Sequence, residues 1–244
     1  MNGVYIRKIY DWVNSRTNTL PEDYNPARNI KLKRRAPTVN RAALTTLPAV
    51  HDMLRAFEAA PKHPATALAN RFMALTTMRS FAIRHAEFIQ IKLDGASPVW
   101  EAPAAIMKGA QGERRPLTIP LSPQAVEVVL AASRLSQGKY LFEGRELNSR
   151  MSENTLLFAL NDAGFHRIHS PHGWRSTFST IMNERHTEER HVIDFALGHK
   201  VPGISGVYNR AEYLRRRHKL AVEYANLLLD GFCPAADLLG TRKD

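Results

Sequence analysis

Over most of this chain apolar residues recur every three and four positions, the period of a helix with one buried face. Val4, Tyr5, Ile9, Trp12 and Val13 share such a face, after which a proline-marked, basic stretch, "LPEDYNPARNIKLKRRAPTVNR", carries no periodic signal. A helix of that length cannot stand alone in water, so it is expected to pack on the body or on a neighbour, or to be the last helix of something upstream. From Leu47 onward "LPAVHDMLRAFEAA" and "HPATALANRFMALTTM" read as helices, with Arg79 at the end of the second. The pattern then changes. "EFIQIKL", "PVWEAPAAIM" and "RPLTIPL", bounded by "DGAS" and "GAQGE", predict three short antiparallel strands, with Lys108 at the mouth of the second hairpin. Helices return in "SPQAVEVVLAASRL", "SENTLLFALNDAG", a segment opening at Ser170-Pro171, "EERHVIDFAL" and "RAEYLRRRHKLAVEYANLLL". Ser170 as cap and Pro171 in the first turn mark a start, and Gly198 marks a stop. The predicted class is mainly α with a small three-stranded antiparallel sheet (α+β), divided into residues 1–40, a helix and basic linker, and residues 41–244, the main domain with a C-terminal tail.

Charge narrows the partner. The 244 residues carry a formal charge of +11 and a pI near 10.0, with basic residues gathered in "ARNIKLKRR" (27–35), "KGAQGERR" (108–115) and "YLRRRHK" (213–219). Such a balance favours a polyanion, nucleic acid before membrane. Cys233 is the only cysteine, which excludes an internal disulfide and a thiolate metal cluster and points to a reducing, cytoplasmic compartment. No apolar run approaches the ~20 residues of a membrane helix, and "MNGVYIRKIYDW" lacks the features of a signal peptide.

The chemistry collects in "SPHGWRSTFSTIMNERHTEERHVIDFALGHKVPGISGVYNRAEYL". His172 and Arg175, three apart at a helix start, share a face near free backbone amides that favour an anion. His199 follows a helix that Gly198 ends, in a glycine-containing loop, and Tyr208 stands at the start of the basic helix. Tyr213, a rival nucleophile, turns away from Tyr208 on a helix and is expected to pack with Leu214 and Leu220. A tyrosine attacking a phosphodiester needs cations on the equatorial oxygens and a proton for the leaving 5′-oxygen. Arg79 and Arg175 fit the first need and Lys108 the second, with no metal or other cofactor. The spacing of His166, His169 and His172 raises a metal site as a rival, but Pro171 interrupts the helix that would align them and no matched carboxylate or cysteine completes the set.

In this order, Arg79 ("LTTMRS"), Lys108 ("APAAIMKGAQGERRPLTIPLS"), His172 and Arg175 ("SPHGWRST"), His199 ("ALGHK") and Tyr208 ("GVYNRAEYLRRR") make the chain resemble the tyrosine recombinase family, above all the integrases of prophages and genomic islands. The resemblance covers roughly residues 45–230. It implies the catalytic-domain fold of that family and a site-specific recombinase, in which Tyr208 forms a 3′-phosphotyrosine. Arg79, Arg175 and His199 would hold the phosphate, His172 would assist the tyrosine's proton, and Lys108 would act as general acid. It further implies double-stranded attachment-site DNA as partner, a homo-tetramer on that DNA, and a bacterial cytoplasmic, nucleoid-associated location. Arg114, Arg115, Lys200, Arg210, Lys31 and Lys33 would then contact DNA, and "LLLDGFCPAADLLG" would dock on a neighbouring subunit. Two departures stand out. Ala82 occupies the position where many relatives carry a carboxylate three residues after the first arginine, and residues 1–40 would retain only a remnant of the core-binding domain. A truncated protein that binds DNA without recombining it, and a topoisomerase-like relaxing enzyme, remain as alternatives.

Overall fold

The computed structural model describes residues 2–17, 21, 24–28, 42–95, 97–109, 112, 114–199 and 210–240, with backbone alone for 2–4 and 210–212. The chain divides into two compact units, Met1–Asn40 and Arg41–Asp244. In the first, α1 (Asn2–Arg16) is met by the turn around Asn25: Arg7 Nε donates to the Ala27 carbonyl at 2.7 Å, and Asn25 Nδ2 donates to the Arg7 carbonyl at 3.1 Å and to Asp11 Oδ1 at 2.7 Å. Tyr5, Ile9 and Trp12 remain exposed on this helix.

The second unit is built around one helix. α2 (Leu47–Ala59) buries Val50, Met53, Leu54 and Phe57, a single stripe of the 3.6-residue period. α3 (Pro64–Thr76) has Pro64 in its first turn and His63 Nδ1 accepting from the Ala65 amide at 3.2 Å; every residue from Ala65 to Thr76 is buried, so it is enclosed on all sides. A charge enclosed in such a helix needs partners, and Arg71 has them. Its Nε and Nη2 bond Glu58 at 2.8 and 2.6 Å, while Nη1 donates to the Cys233 carbonyl at 2.7 Å.

α3 stops at Thr77, whose backbone is left-handed (φ 54°), and Arg79 then caps the short α4 (Ser80–Arg84). Arg79 thus opens a helix; it does not end α3 as the pattern predicted. Of the three predicted strands, all form but each is shorter than its apolar run: β1 (Ile91–Lys92), β2 (Val99–Ala102) and β3 (Leu117–Pro120), in the antiparallel order β1-β2-β3. "EFIQIKL" loses its first half to a 3-10 turn (Phe88–Gln90), where the Glu87 and Gln90 side chains cap one another's backbone amides. Register pairs Trp100 with Ile91 and Ile119, placing the buried indole on the α3 side against Phe72 at 5.6 Å between centroids.

The remaining helices close the core. α5 (Pro123–Leu135) is capped by Ser122 Oγ, which accepts from the Ala125 amide at 3.2 Å. α6 (Thr155–Leu160) runs into a wider turn, Asn161–Phe165, broken by Gly164 at φ 94°. α7 (Gly173–Arg185) begins two residues after the predicted Ser170-Pro171 start, because Ser170 Oγ reaches the Ala42 carbonyl and not the helix amides, and His172 takes the cap position. α8 (Arg190–Ala196) and α9 (Arg210–Leu228) follow. Tyr213 lies edge-on to His191 and tilted against Phe195, both on α8, in place of the expected Leu214 and Leu220. The segment after α9 returns to its own chain: Ala235 is buried, Leu238 and Leu239 pack on the core beside α3 and α5, and Phe232 lies edge-on to His51 of α2. The tail proposed for a neighbour is therefore docked in cis here.

Candidate active site

The site begins where α3 ends. Trp174, fully buried on α7, donates its indole N–H to Asn70 Oδ1 of α3 at 3.1 Å, which fixes the rotation of α7 about its axis. The next residue, Arg175, is 4% exposed and is directed into the gap between Thr77 and the end of α8. Its Nη1 donates to the Thr77 carbonyl at 2.9 Å and its Nη2 to the Leu197 carbonyl at 2.7 Å, with His199 Nε2 3.0 Å from Nη2. The left-handed Thr77 is what turns its carbonyl toward the guanidinium. Two residues on, Arg79 is half-buried and its charge is felt by Arg175.

Burial first, and the positive neighbour Arg79 second, push the Arg175 guanidinium down to about 9. Burial also lowers Arg79. Among the described residues neither arginine pairs with a carboxylate. Two guanidinium groups held together without a counter-ion form a site that an anion stabilises.

His199 completes one wall. Gly198 ends α8 in a left-handed conformation (φ 66°), and a Cβ there would meet Leu117 Cδ2 at 3.2 Å and Met107 Cε at 3.5 Å. The turn that presents His199 therefore rests on the residue preceding Lys108. His199 Nδ1 lies 3.4 Å from Asp194 Oδ1. Since Arg175 can only donate, Nε2 accepts from it and Nδ1 carries the proton toward Asp194. Lys108 itself is exposed, on the loop that follows a 3-10 turn at Ala104–Ile106. Arg114 crosses that loop, donating to the Gly109 carbonyl at 3.1 Å and the Ala105 carbonyl at 3.0 Å. It thus braces the lysine's loop, a job that its reading as a surface contact did not foresee. Arg115 is exposed beside it.

His172, half-buried, stands at the cap of α7, one turn from Arg175. Its neighbourhood is tied to residues 42–44: the Leu44 amide donates to His169 Nδ1 at 3.1 Å, and Thr177 Oγ1 donates to the Leu44 carbonyl. His169 is 1% exposed and lies edge-on to Trp174. Burial lowers its pKa to about 4. His166, by contrast, is exposed, so the three histidines of the metal reading do not converge. Among the described residues no cluster of histidine, cysteine and carboxylate side chains forms a metal site.

Arg79, Lys108, His172, Arg175 and His199 are thus placed around the junction of α3, α4, α7, α8 and the β2–β3 loop. Tyr208, Lys200, Lys31 and Lys33 lie outside the described residues, and Arg210 is described by its backbone alone as the first residue of α9. The basic run "YLRRRHK" is less available than its sequence promised. Arg216 is paired with Glu189, and Arg217 is buried with its pKa lowered to about 10 by desolvation. The helical period explains this, since position 217 falls on the buried face with Leu220 and Tyr224. Asp194, Thr77 and the His169 anchor escaped sequence reasoning. Only the acid five residues before His199 left a trace, and it is not distinctive.

Residues 49–215, which include all six candidate catalytic positions, match the Phage integrase family. The chain is 36% identical over 159 residues to prophage integrase IntZ of Escherichia coli (strain K12), a match covering 65% of this chain and 38% of IntZ. It is similar in fold to a lambda integrase dimer bound to a COC′ core site, with a TM-score of 0.59, 14% identity, and 82% of this chain and 70% of that one covered. A lambda integrase tetramer bound to a Holliday junction gives a TM-score of 0.58 at 14% identity, covering 85% of this chain and 60% of that one. The chain spans less than half the length of the curated relatives it matches, 38% of IntZ and 41% of the integrase of Shigella phage Sf6. On the extent of the family match, the chain belongs to the phage integrase family.

Proposed function

We propose that this chain cleaves and rejoins double-stranded DNA at specific sites, integrating or excising a prophage or genomic island. The observation that carries the reading is the pairing of Arg79 and Arg175, two partly or wholly buried cations drawn together with no carboxylate partner among the described residues. A scissile phosphate supplies the missing charge. In this scheme the Tyr208 phenolic oxygen attacks phosphorus, the bond to the 5′-oxygen breaks, and a 3′-phosphotyrosine forms. The phenolic proton passes to His172, and the Lys108 ammonium protonates the departing 5′-oxygen. Arg79, Arg175 and His199 stabilise the charge that builds on the equatorial oxygens. Rejoining runs the same steps backward with a new 5′-hydroxyl.

Arg114, Arg115, Lys200, Arg210, Lys31 and Lys33 are proposed as backbone contacts, and residues 1–40 as part of a core-binding domain. Since lambda integrase has been solved as a tetramer on a Holliday junction, a homo-tetramer on DNA is the proposed assembly. The proposed location is the bacterial cytoplasm, at the nucleoid. Among the described residues no helix is long and apolar enough to cross a membrane.

A nicked oligonucleotide carrying the attachment core, incubated with the chain and resolved under denaturing conditions, tests the proposal. A covalent adduct in the wild type, absent in Tyr208→Phe, is expected. Retention of DNA with no adduct on any half-site favours the alternative, a protein that binds DNA without recombining it.

A further inference from the structure

The face of α9 that meets the core runs Tyr213, Arg217, Leu220, Tyr224, Leu228. A guanidinium therefore stands in a stripe whose other members are apolar or aromatic. Arg217 is 4% exposed. Its Nη1 donates to the Thr118 carbonyl at 2.8 Å, its guanidinium carbon lies 4.7 Å from the centre of the Phe195 ring, and its Nε has no partner among the described residues. No carboxylate of the described residues pairs with it. Its neighbour Arg216, in contrast, is fully engaged by Glu189.

Burying a cation without a counter-ion opposes folding, and one hydrogen bond with one ring offsets only part of the loss. Leucine or methionine at this position would serve the core better, so stability does not account for the arginine. Its contacts do. Thr118 follows Leu117, which packs against Gly198 beside His199, and β3 leads out of the loop that carries Lys108. Phe195 lies on α8, two residues before the Leu197 carbonyl that holds Arg175. One side chain thus joins α9 to both elements that present candidate catalytic groups. In the sequence, α9 begins two positions after Tyr208.

We propose that Arg217 is a positioning residue for strand cleavage: its rigid fork sets the register of α9 against the strand behind Lys108 and the helix before His199. This rests on the reading of Tyr208 as nucleophile. A methionine fills the same volume but, lacking directed donors, leaves the helix free to slide.

The test compares wild type, Arg217→Met and Arg217→Lys in the full chain by thermal midpoint, half-site DNA affinity, and adduct formation on a nicked half-site at saturating protein. Arg217→Met is expected to melt at or above the wild type and to bind DNA within about threefold. Its adduct rate should fall by roughly a hundredfold, the scale of a misplacement near 1 Å. Arg217→Lys, which keeps the charge and one donor, should recover part of that rate. A wild-type adduct rate in Arg217→Met overturns the inference. So does a marked drop in its melting temperature, which would make the arginine a structural element, or a loss of DNA affinity matching the loss of rate, which would make it a DNA contact. If the wild type itself forms no adduct, the nucleophile reading has failed, and this inference falls with it.

Discussion

Acidification from pH 7 to pH 5 is expected to remove about 2 kcal/mol of stability through His169 alone. The ring is 1% exposed, its Nδ1 accepts from the Leu44 amide at 3.1 Å, and burial lowers its pKa to about 4 from an ordinary value of 6.5. The unfolded chain therefore binds a proton that the folded chain refuses throughout that window, so stability falls as pH drops below about 6.5 and the loss is complete near 4. Each pH unit inside the window is worth about 1.4 kcal/mol, giving about 2 kcal/mol at pH 5 and about 3 kcal/mol at pH 4. Protonation also sets one N–H against another at the Leu44 contact, so residues 42–44 should loosen from the start of α7 first. Urea unfolding of wild type and His169→Asn at both pH values isolates the effect, because the carboxylates titrate alike in the two proteins. Asparagine keeps an acceptor near the Nδ1 position and does not titrate. The wild type should lose about 2 kcal/mol more than the variant between pH 7 and pH 5. Equal losses in the two proteins would refute the buried-neutral assignment.

Glu58→Ala strands the buried Arg71 charge and should cost about 3–5 kcal/mol, read as a large fall in thermal midpoint, whereas Asp52→Ala, which removes only an exposed ion pair with Arg55, should be nearly silent. Gly173→Ala places a Cβ 2.9 Å from His169 Cε1 and 3.1 Å from the Ala42 carbonyl oxygen. The overpacking costs about 1–3 kcal/mol against a helix-propensity gain of roughly 1 kcal/mol, and adduct formation should slow because His172 and Arg175 move with the turn. Arg175→Lys keeps a charge but cannot reach the Thr77 and Leu197 carbonyls together, so single-turnover cleavage should fall by about 10²–10³-fold. A rate within threefold of wild type would remove Arg175 from the proposed mechanism.

The helices were legible because their apolar spacing is regular and prolines mark several starts, as at Pro64 and Pro123. Strand lengths were not, since the Glu87–Gln90 side-chain caps that curl the first run into a 3-10 turn require backbone coordinates to recognise. The break at Thr77 was hidden for a related reason. A β-branched residue rarely turns left-handed, and here the conformation is held by a bond from Arg175, 98 positions later. In the candidate site, the order of arginines and histidines could be read along the chain, but Asp194 behind His199, the Leu44 anchor on His169 and the inward turn of Arg217 could not. Each depends on which face of a helix meets which distant carbonyl or ring.

The bond from Arg71 to the Cys233 carbonyl joins positions 162 apart, and His51 meets the Leu227 carbonyl across 176. A ribosome making this chain therefore emits the central helix long before the last of its partners exists. Until residues near Cys233 emerge, Arg71 holds only its Glu58 pair and the flank of α3 that meets residues 235–239 lacks its cover, so the native body can close only after those residues have emerged. Expression yield should accordingly depend on chaperone capacity during translation more than on the thermal resistance of the finished protein.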